Sequence, residues 1–140
     1  MSARLSFLFD ASMPSEVKAI SRLVDWLMPL IEESHCVAGE EAAVELALRE
    51  ALSNAVVHGN EMNTEKLVHV QCHCERGKGA VIIVTDEGQG FDANAVPNPL
   101  AIRGLLAEHG RGIHLMKLAM DEVSFARGGT EVRMWKRPGK

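Results

Sequence analysis

The chain has 140 residues and a net charge of -4, so its length fits one domain and its charge argues against a dedicated nucleic-acid binder, which needs a basic face. No apolar stretch approaches the roughly 20 residues that span a bilayer, and we expect no secretory signal and no membrane association. The three cysteines follow no disulfide framework spacing, which predicts reduced thiols and a cytoplasmic location.

The first half of the chain predicts one short strand followed by two helices. Alternating apolar residues indicate the strand at positions 5–9. Apolar residues at helical spacing then predict a first helix over positions 14–33 and a second over positions 40–58. Gly59 and Asn60 are typical of the residues that end a helix.

The second half predicts a hairpin, a loop and a final helix with two strands. Strands at positions 67–75 and 80–86 are joined by a connection short enough for an antiparallel hairpin. Glycines, prolines and asparagines replace the periodic pattern over positions 87–112, which predicts a long mobile loop of functional importance. The remaining predicted elements are one short helix and two strands, at positions 113–120, 123–127 and 131–136.

A polar stripe runs along the second predicted helix. Glu50, Asn54 and His58 are spaced four residues apart, so their side chains project along one side of the helix. A carboxylate and a carboxamide oxygen are hard ligands, suited to magnesium and to orienting a hydroxyl group. A solvated polar face would show the same spacing, so this pattern alone leaves both interpretations open.

Asp86 ends an apolar strand and begins a glycine-rich turn that contains Gly88 and Gly90. Glycines let the backbone approach a ligand closely, and the carboxylate can accept a hydrogen bond from the exocyclic amine of adenine. A tight turn with a polar residue at the strand end is the alternative. An EF-hand loop is excluded, because Gly88 and Gly90 stand where that loop needs oxygen ligands.

Gly110, Arg111 and Gly112 come directly before the last predicted helix. Free amide groups and the positive end of a helix dipole favour phosphate binding there, although an ordinary helix start has the same pattern. The glycine and lysine spacing of a Walker-type phosphate loop is absent from the sequence.

Histidines and cysteines lie close together in the first hairpin strand, at positions 69, 72, 73 and 74, and could be considered as zinc ligands. Side chains alternate along a strand, so the two cysteines face one way and the two histidines the other. This geometry favours buried thiols over zinc.

Taken in chain order, four motifs resemble those of the GHKL ATPases, the superfamily of DNA gyrase, histidine kinases and heat-shock chaperones. They are Glu50-Ala-Leu-Ser-Asn54-Ala-Val-Val-His58-Gly59-Asn60, Asp86-Glu-Gly88-Gln-Gly90-Phe91, Gly110-Arg-Gly112-Ile-His-Leu-Met-Lys and Gly129-Thr130. The anti-sigma factor serine kinases are the most similar branch, over nearly the whole chain. The resemblance implies a single Bergerat-type domain over positions 1–140, an α/β (α+β) two-layer sandwich whose mostly antiparallel mixed sheet is covered by helices on one face. An ATP lid is implied at positions 91–110.

The same resemblance implies ATP and Mg²⁺ as ligands and gives each motif residue a role. Glu50 would be the general base, Asn54 the magnesium ligand and Asp86 the reader of adenine. His58 would close the helix rather than accept phosphate. Further ligand contacts are implied for the base pocket, the phosphates and the lid, at Gly88, Gly90, Thr130, Gly110, Arg111, Gly112 and Arg103.

In function, the resemblance implies a protein serine kinase that is also an anti-sigma-type regulator. Such a protein binds a sigma factor or another regulatory protein and phosphorylates a small antagonist protein on serine. Arg22 on the first helix is a candidate for the partner surface, with a solvated charge as the alternative. A homodimer is compatible with this branch, and no direct contact with nucleic acid is expected. A nucleotide-dependent binding module without phosphotransfer is the competing function.

Overall fold

The computed structural model describes residues 6–90 and 105–139, and its centre is one sheet of five strands. Within these residues the spatial order is β1-β2-β3-β5-β4, and every neighbouring pair is antiparallel. The strands are β1 (Ser6–Pro14), β2 (Leu67–Glu75), β3 (Gly79–Thr85), β4 (Glu122–Ala126) and β5 (Glu131–Lys136). The predicted α/β sandwich with a mostly antiparallel sheet is thereby confirmed.

Three α-helices cover one face of this sheet. They are α1 (Val17–Ser34), α2 (Glu41–Ser53), which continues into a π-helix (Asn54–Gly59), and α3 (Leu105–Ala119). Along β3 the alternate residues Ala80, Ile82 and Val84 are buried against the helices, so one face of the sheet faces the core. Leu48 and Leu52 on α2 are fully buried. Each such leucine contributes about 1.5–3 kcal/mol of hydrophobic stabilisation.

The hairpin and the second helix were predicted near their observed positions, whereas other boundaries differ. Strand β1 extends to Pro14, so the first helix begins at Val17 rather than at position 14. Pro29 lies inside α1 without ending it. Buried side chains on both sides of the proline, including Leu27 and Ile31, pack both parts of the helix onto the core.

The last helix begins earlier than predicted. Because α3 starts at Leu105, Gly110, Arg111 and Gly112 lie within it, and the prediction that they precede the helix is wrong. The leucines, alanine and glutamate of positions 105–108 are strong helix formers, which offsets the cost of about 1 kcal/mol for each glycine. Positions 91–104 of the predicted loop and lid, including Arg103, lie outside the described residues.

Two of the three cysteines form a disulfide. Cys36, between α1 and α2, is joined to Cys74 on β2, with the two Cα atoms 6.0 Å apart. The prediction of three reduced thiols is therefore wrong for this pair. Cys72 is a free thiol in the described part of the chain, and burial raises its pKa to about 12.

In residues 6–90 and 105–139, no helix combines the length and the apolar character needed to cross a bilayer.

Candidate functional site

A cavity of about 420 Å³ lies between the helical layer and the sheet. Its lining comes from the end of α2 and the π-helix, from the end of β3, and from α3, β4 and β5. The volume is within the range of about 300–1,000 Å³ that is usual for small-molecule sites. Ala51 and Ala55 line it with small side chains, which leaves room for a flat apolar group beside the helix.

The helix wall of the cavity changes its winding at Asn54. There α2 gives way to the π-helix, whose wider turn accommodates one extra residue. Asn54 and His58 both line the cavity, so the structure brings these two members of the predicted stripe to one site. Short π-helical segments of this kind often occur at functional sites.

Asp86 lines the cavity, and its carboxylate is held in place. Oδ1 accepts a hydrogen bond of 2.8 Å from the Gly88 amide, and the Asp86 amide donates one of 2.9 Å to the Thr130 carbonyl. A β-carbon at Gly59 would overlap Asp86 Oδ2, so the second carboxylate oxygen lies directly against the Gly59 backbone. Burial raises the pKa of Asp86, and the Gly88 amide and Lys66 partly oppose this rise.

The remaining residues predicted for the base pocket lie around Asp86. Gly90 and Thr130 line the cavity, whereas Gly88 touches the carboxylate of Asp86 from behind it. The Thr130 hydroxyl donates to the Arg127 carbonyl at 2.9 Å, which fixes the turn between β4 and β5. Thr130 therefore supports Asp86 through its backbone, because its carbonyl receives the Asp86 amide.

Glu50 and Asn54 meet under Gly112 of α3. A β-carbon at Gly112 would lie 3.0 Å from Glu50 Oε1 and 3.1 Å from Asn54 Oδ1. The absence of a side chain at Gly112 thus lets α3 approach both polar groups. The structure brings this glycine to the predicted acid and amide, while Arg111, one residue earlier, is exposed.

The Asn54 amide carries an unsatisfied polar atom. Its Nδ2 is buried and has no hydrogen-bond partner among the described residues. A buried amide group without a partner costs about 1–3 kcal/mol, which makes this one suited to a ligand. Because the two ends of an asparagine amide are interchangeable by rotation, the same position can present its oxygen. An amide oxygen beside a carboxylate is a donor set that fits Mg²⁺.

Comparison with known proteins identifies the family of the chain. Residues 13–136 match the histidine kinase-like ATPase domain. The chain belongs to this family. This ATPase domain is also 31% identical to the anti-sigma F factor of Clostridium novyi (strain NT) over 140 residues, which cover 96% of the chain and 92% of that protein. The anti-sigma F factor of Heyndrickxia coagulans is 30% identical over 145 residues, covering 97% of the chain and 93% of that protein.

These relatives support the anti-sigma factor branch that the sequence motifs predicted. The match includes α2, β3 and the Gly112 region, so all the residues that surround the cavity lie within it. Family membership implies ATP as the ligand. The cavity lined by Asp86 and Asn54 lies within the matched residues.

Sequence reasoning missed a central role for Asn60 in the ATPase domain. We interpreted it as a residue that ends a helix, but its side chain is only 1% exposed and ties three separate segments together. Gly59 and Asn60 are typical of a helix end and close the first motif, but neither pattern gave Asn60 a role of its own. The functional signal lies in its burial, which arises from long-range packing.

Proposed function

We propose that this ATPase domain is a protein serine kinase that also binds a sigma factor, so that phosphorylation of a small antagonist protein controls which partner it holds. The observation that carries the proposal is the convergence of Glu50 and Asn54 beneath Gly112, beside a cavity that ends at Asp86. The proposal thus combines a group for base recognition, Asp86 in the cavity lining, with a group able to take a proton, Glu50 beside Asn54.

Recognition of the base is assigned to Asp86. Gly88 occupies one carboxylate oxygen, which leaves the other to accept a hydrogen bond from the exocyclic amine of adenine. A hydrogen bond to a charged group contributes about 1.5–3 kcal/mol, which corresponds to about 10- to 100-fold in affinity. Gly90 and Thr130 would contact the same end of the nucleotide.

Phosphoryl transfer is assigned to Glu50. Its carboxylate takes the proton of the attacking serine hydroxyl while the serine oxygen bonds to the γ-phosphorus, and the bond to the bridging oxygen breaks to release ADP. Asn54 would hold Mg²⁺ through its amide oxygen, and Gly110, Arg111 and Gly112 would face the phosphates. Magnesium, when bound, supplies positive charge that offsets the charge on the phosphates.

The sigma factor is proposed from the names of the relatives, which are anti-sigma F factors. Helix α1 offers a surface for such a partner, because Arg22 is exposed and Trp26, one turn later, is 59% exposed. Aromatic and arginine side chains dominate the energetics of many protein interfaces. We therefore propose that Arg22 contributes to the partner surface.

The decisive experiment is a transfer assay with γ-labelled ATP, Mg²⁺ and a candidate small antagonist protein from the same genome. Wild type should label a serine of the antagonist, and Glu50→Ala should bind ATP but transfer no label. Glu45→Ala is the matched control, because Glu45 lies on the same helix and pairs with Arg49 on the surface. Tight ATP binding by wild type without any phosphoserine would reject the kinase and leave the nucleotide-dependent binding module.

A further inference from the structure

Asn60 connects the base-recognition end of the site to two distant segments of the chain. Its Oδ1 accepts a hydrogen bond of 2.8 Å from the Glu87 amide. Its Nδ2 donates to Ser15 Oγ at 2.8 Å and to the Leu67 carbonyl at 2.9 Å. Since an asparagine amide has one acceptor and one donor group, both ends of this buried side chain are engaged.

The bond to Glu87 fixes the peptide that follows Asp86. The peptide that precedes Asp86 is held on its other side, because the Asp86 amide donates to the Thr130 carbonyl. Both backbone groups that flank the Asp86 Cα are therefore hydrogen-bonded, which leaves its backbone dihedrals little freedom. The direction of the Asp86 side chain follows from those dihedrals.

A second connection reaches the same turn from the exposed side of the sheet. Glu87 Oε1 accepts a hydrogen bond of 2.9 Å from the Leu67 amide, and Glu87 Oε2 lies 3.5 Å from His69 Nε2. The Leu67 amide lowers the pKa of Glu87, and His69 acts in the same direction. This outer connection is solvent-exposed, so it is screened by water and holds the turn less firmly than the partly buried bond to Asn60.

We propose that Asn60 is a positioning residue for base recognition, which aims the Asp86 carboxylate at the exocyclic amine of a purine by holding the Asp86–Glu87 peptide. This inference rests on the proposed role of Asp86 in binding ATP. The part of Asn60 that positions is its Oδ1. The two bonds from Nδ2 serve a different purpose, since they fasten Asn60 itself to the start of α1 and to β2.

These separate purposes allow variants that distinguish positioning from structural support. Asn60→Ala removes every side-chain bond. Asn60→Asp keeps an oxygen to accept the Glu87 amide but loses both donors. Ser15→Ala keeps the Glu87 bond and removes one partner of Nδ2. All three substitutions lower stability, whereas only Asn60→Ala frees the Asp86–Glu87 peptide.

The readout is base discrimination, which loss of stability alone does not change in a folded protein. Calorimetric titration would compare ATP with purine riboside triphosphate, which lacks the exocyclic amine, at a temperature where circular dichroism shows each variant to be folded. Wild type should prefer ATP by about 10-fold or more. Asn60→Ala should prefer it by less than about 3-fold, and Asn60→Asp and Ser15→Ala should retain the wild-type ratio within about 2-fold.

The outcomes separate this inference from the proposed function. Equal discrimination by wild type and folded Asn60→Ala would overturn the role of Asn60 while leaving Asp86 as the reader. No discrimination by wild type would overturn both. If Asn60→Ala does not fold, hydrogen exchange of wild type decides, because the Glu87 amide must then be protected in the protein without nucleotide. Exchange at the rate of an exposed amide would overturn the inference.

Discussion

The two parts of the proposed site, a base end around Asp86 and a phosphate end around Asn54, are built in opposite ways. At the base end, both peptides that flank Asp86 are hydrogen-bonded, and one oxygen of its carboxylate is already engaged by Gly88. At the phosphate end, the Asn54 amide nitrogen is buried without a hydrogen-bond partner in the described part of the chain. The base end is therefore preorganised before the ligand binds, whereas the phosphate end has an unpaired polar group that a ligand can satisfy.

The largest expected effect is at the phosphate end, where Asn54→Ala removes the side-chain amide. Asn54→Ala should lower the rate of phosphoryl transfer by about 10²- to 10³-fold, because a group that stabilises charge in the transition state is lost. ATP affinity should also lose its dependence on Mg²⁺ concentration, measured by titration with and without a chelator. Asn63→Ala is the control, since Asn63 is exposed in a turn away from the cavity. Unchanged Mg²⁺ dependence in Asn54→Ala would remove this residue from the cation site.

The base end should respond to a change of one atom. Asp86→Asn should raise the Kd for ATP by about 10- to 100-fold, since an amide that gives its oxygen to Gly88 presents a donor to the donor on adenine. Asp10→Asn, the same change at an exposed position of β1, should leave the Kd unaltered. Calorimetric titration measures both. An Asp86→Asn variant that binds ATP as tightly as wild type would exclude Asp86 as the reader.

Stability measurements sharpen the comparison, because substitutions of the two asparagines should change the free energy of unfolding differently. Asn60→Ala should lower the free energy of unfolding by about 1–3 kcal/mol, since it leaves the partly buried Glu87 amide and Leu67 carbonyl unpaired. Asn54→Leu should be neutral or stabilising, because it replaces an unsatisfied buried group with an apolar one. Urea unfolding without nucleotide measures both. A loss of stability in Asn54→Leu comparable to that in Asn60→Ala would show that the two ends do not differ.

The smallest expected effect is the pH dependence at the base end. Burial raises the pKa of Asp86 from its ordinary value of 3.8, so the charged form destabilises the fold at neutral pH. Asp86→Asn should therefore have a higher thermal midpoint than wild type at pH 7. This difference should shrink as the pH falls through the raised pKa and vanish below the ordinary one. A midpoint difference that is constant from pH 7 to pH 3 would contradict the assigned cause.

The sequence predicted those parts of the site that depend on local patterns. Asp86 at the end of a strand, and Glu50 four residues before Asn54, are visible without any tertiary information, and the family resemblance gave them roles. The sheet and the buried stripe of α2 were likewise predicted from alternation and helical spacing. Glycine-rich patterns were less informative. Gly112 was assigned to a helix start, yet it lies within α3 and contributes by letting that helix approach Glu50.

The features that were missed depend on contacts between distant parts of the chain. Asn60 bonds to residues 45 positions before it and 27 after it, and no local pattern reports such contacts. The disulfide joins cysteines separated by 38 positions, and their spacing in the sequence resembles no framework. The π-helix is also not indicated by the apolar pattern of α2, which continues at helical spacing through Ala55.

The close contact between Gly59 and Gly88 restricts which residues can occupy these two positions. A β-carbon at Gly88 would overlap the Gly59 carbonyl oxygen, and one at Gly59 would overlap the Asp86 carboxylate. Neither overlap involves the end of a long side chain that can swing aside. Any alanine at either position must therefore displace main chain or the recognition carboxylate itself. Both glycines are therefore constrained although they carry no functional group, and libraries built to alter nucleotide preference should leave both unvaried.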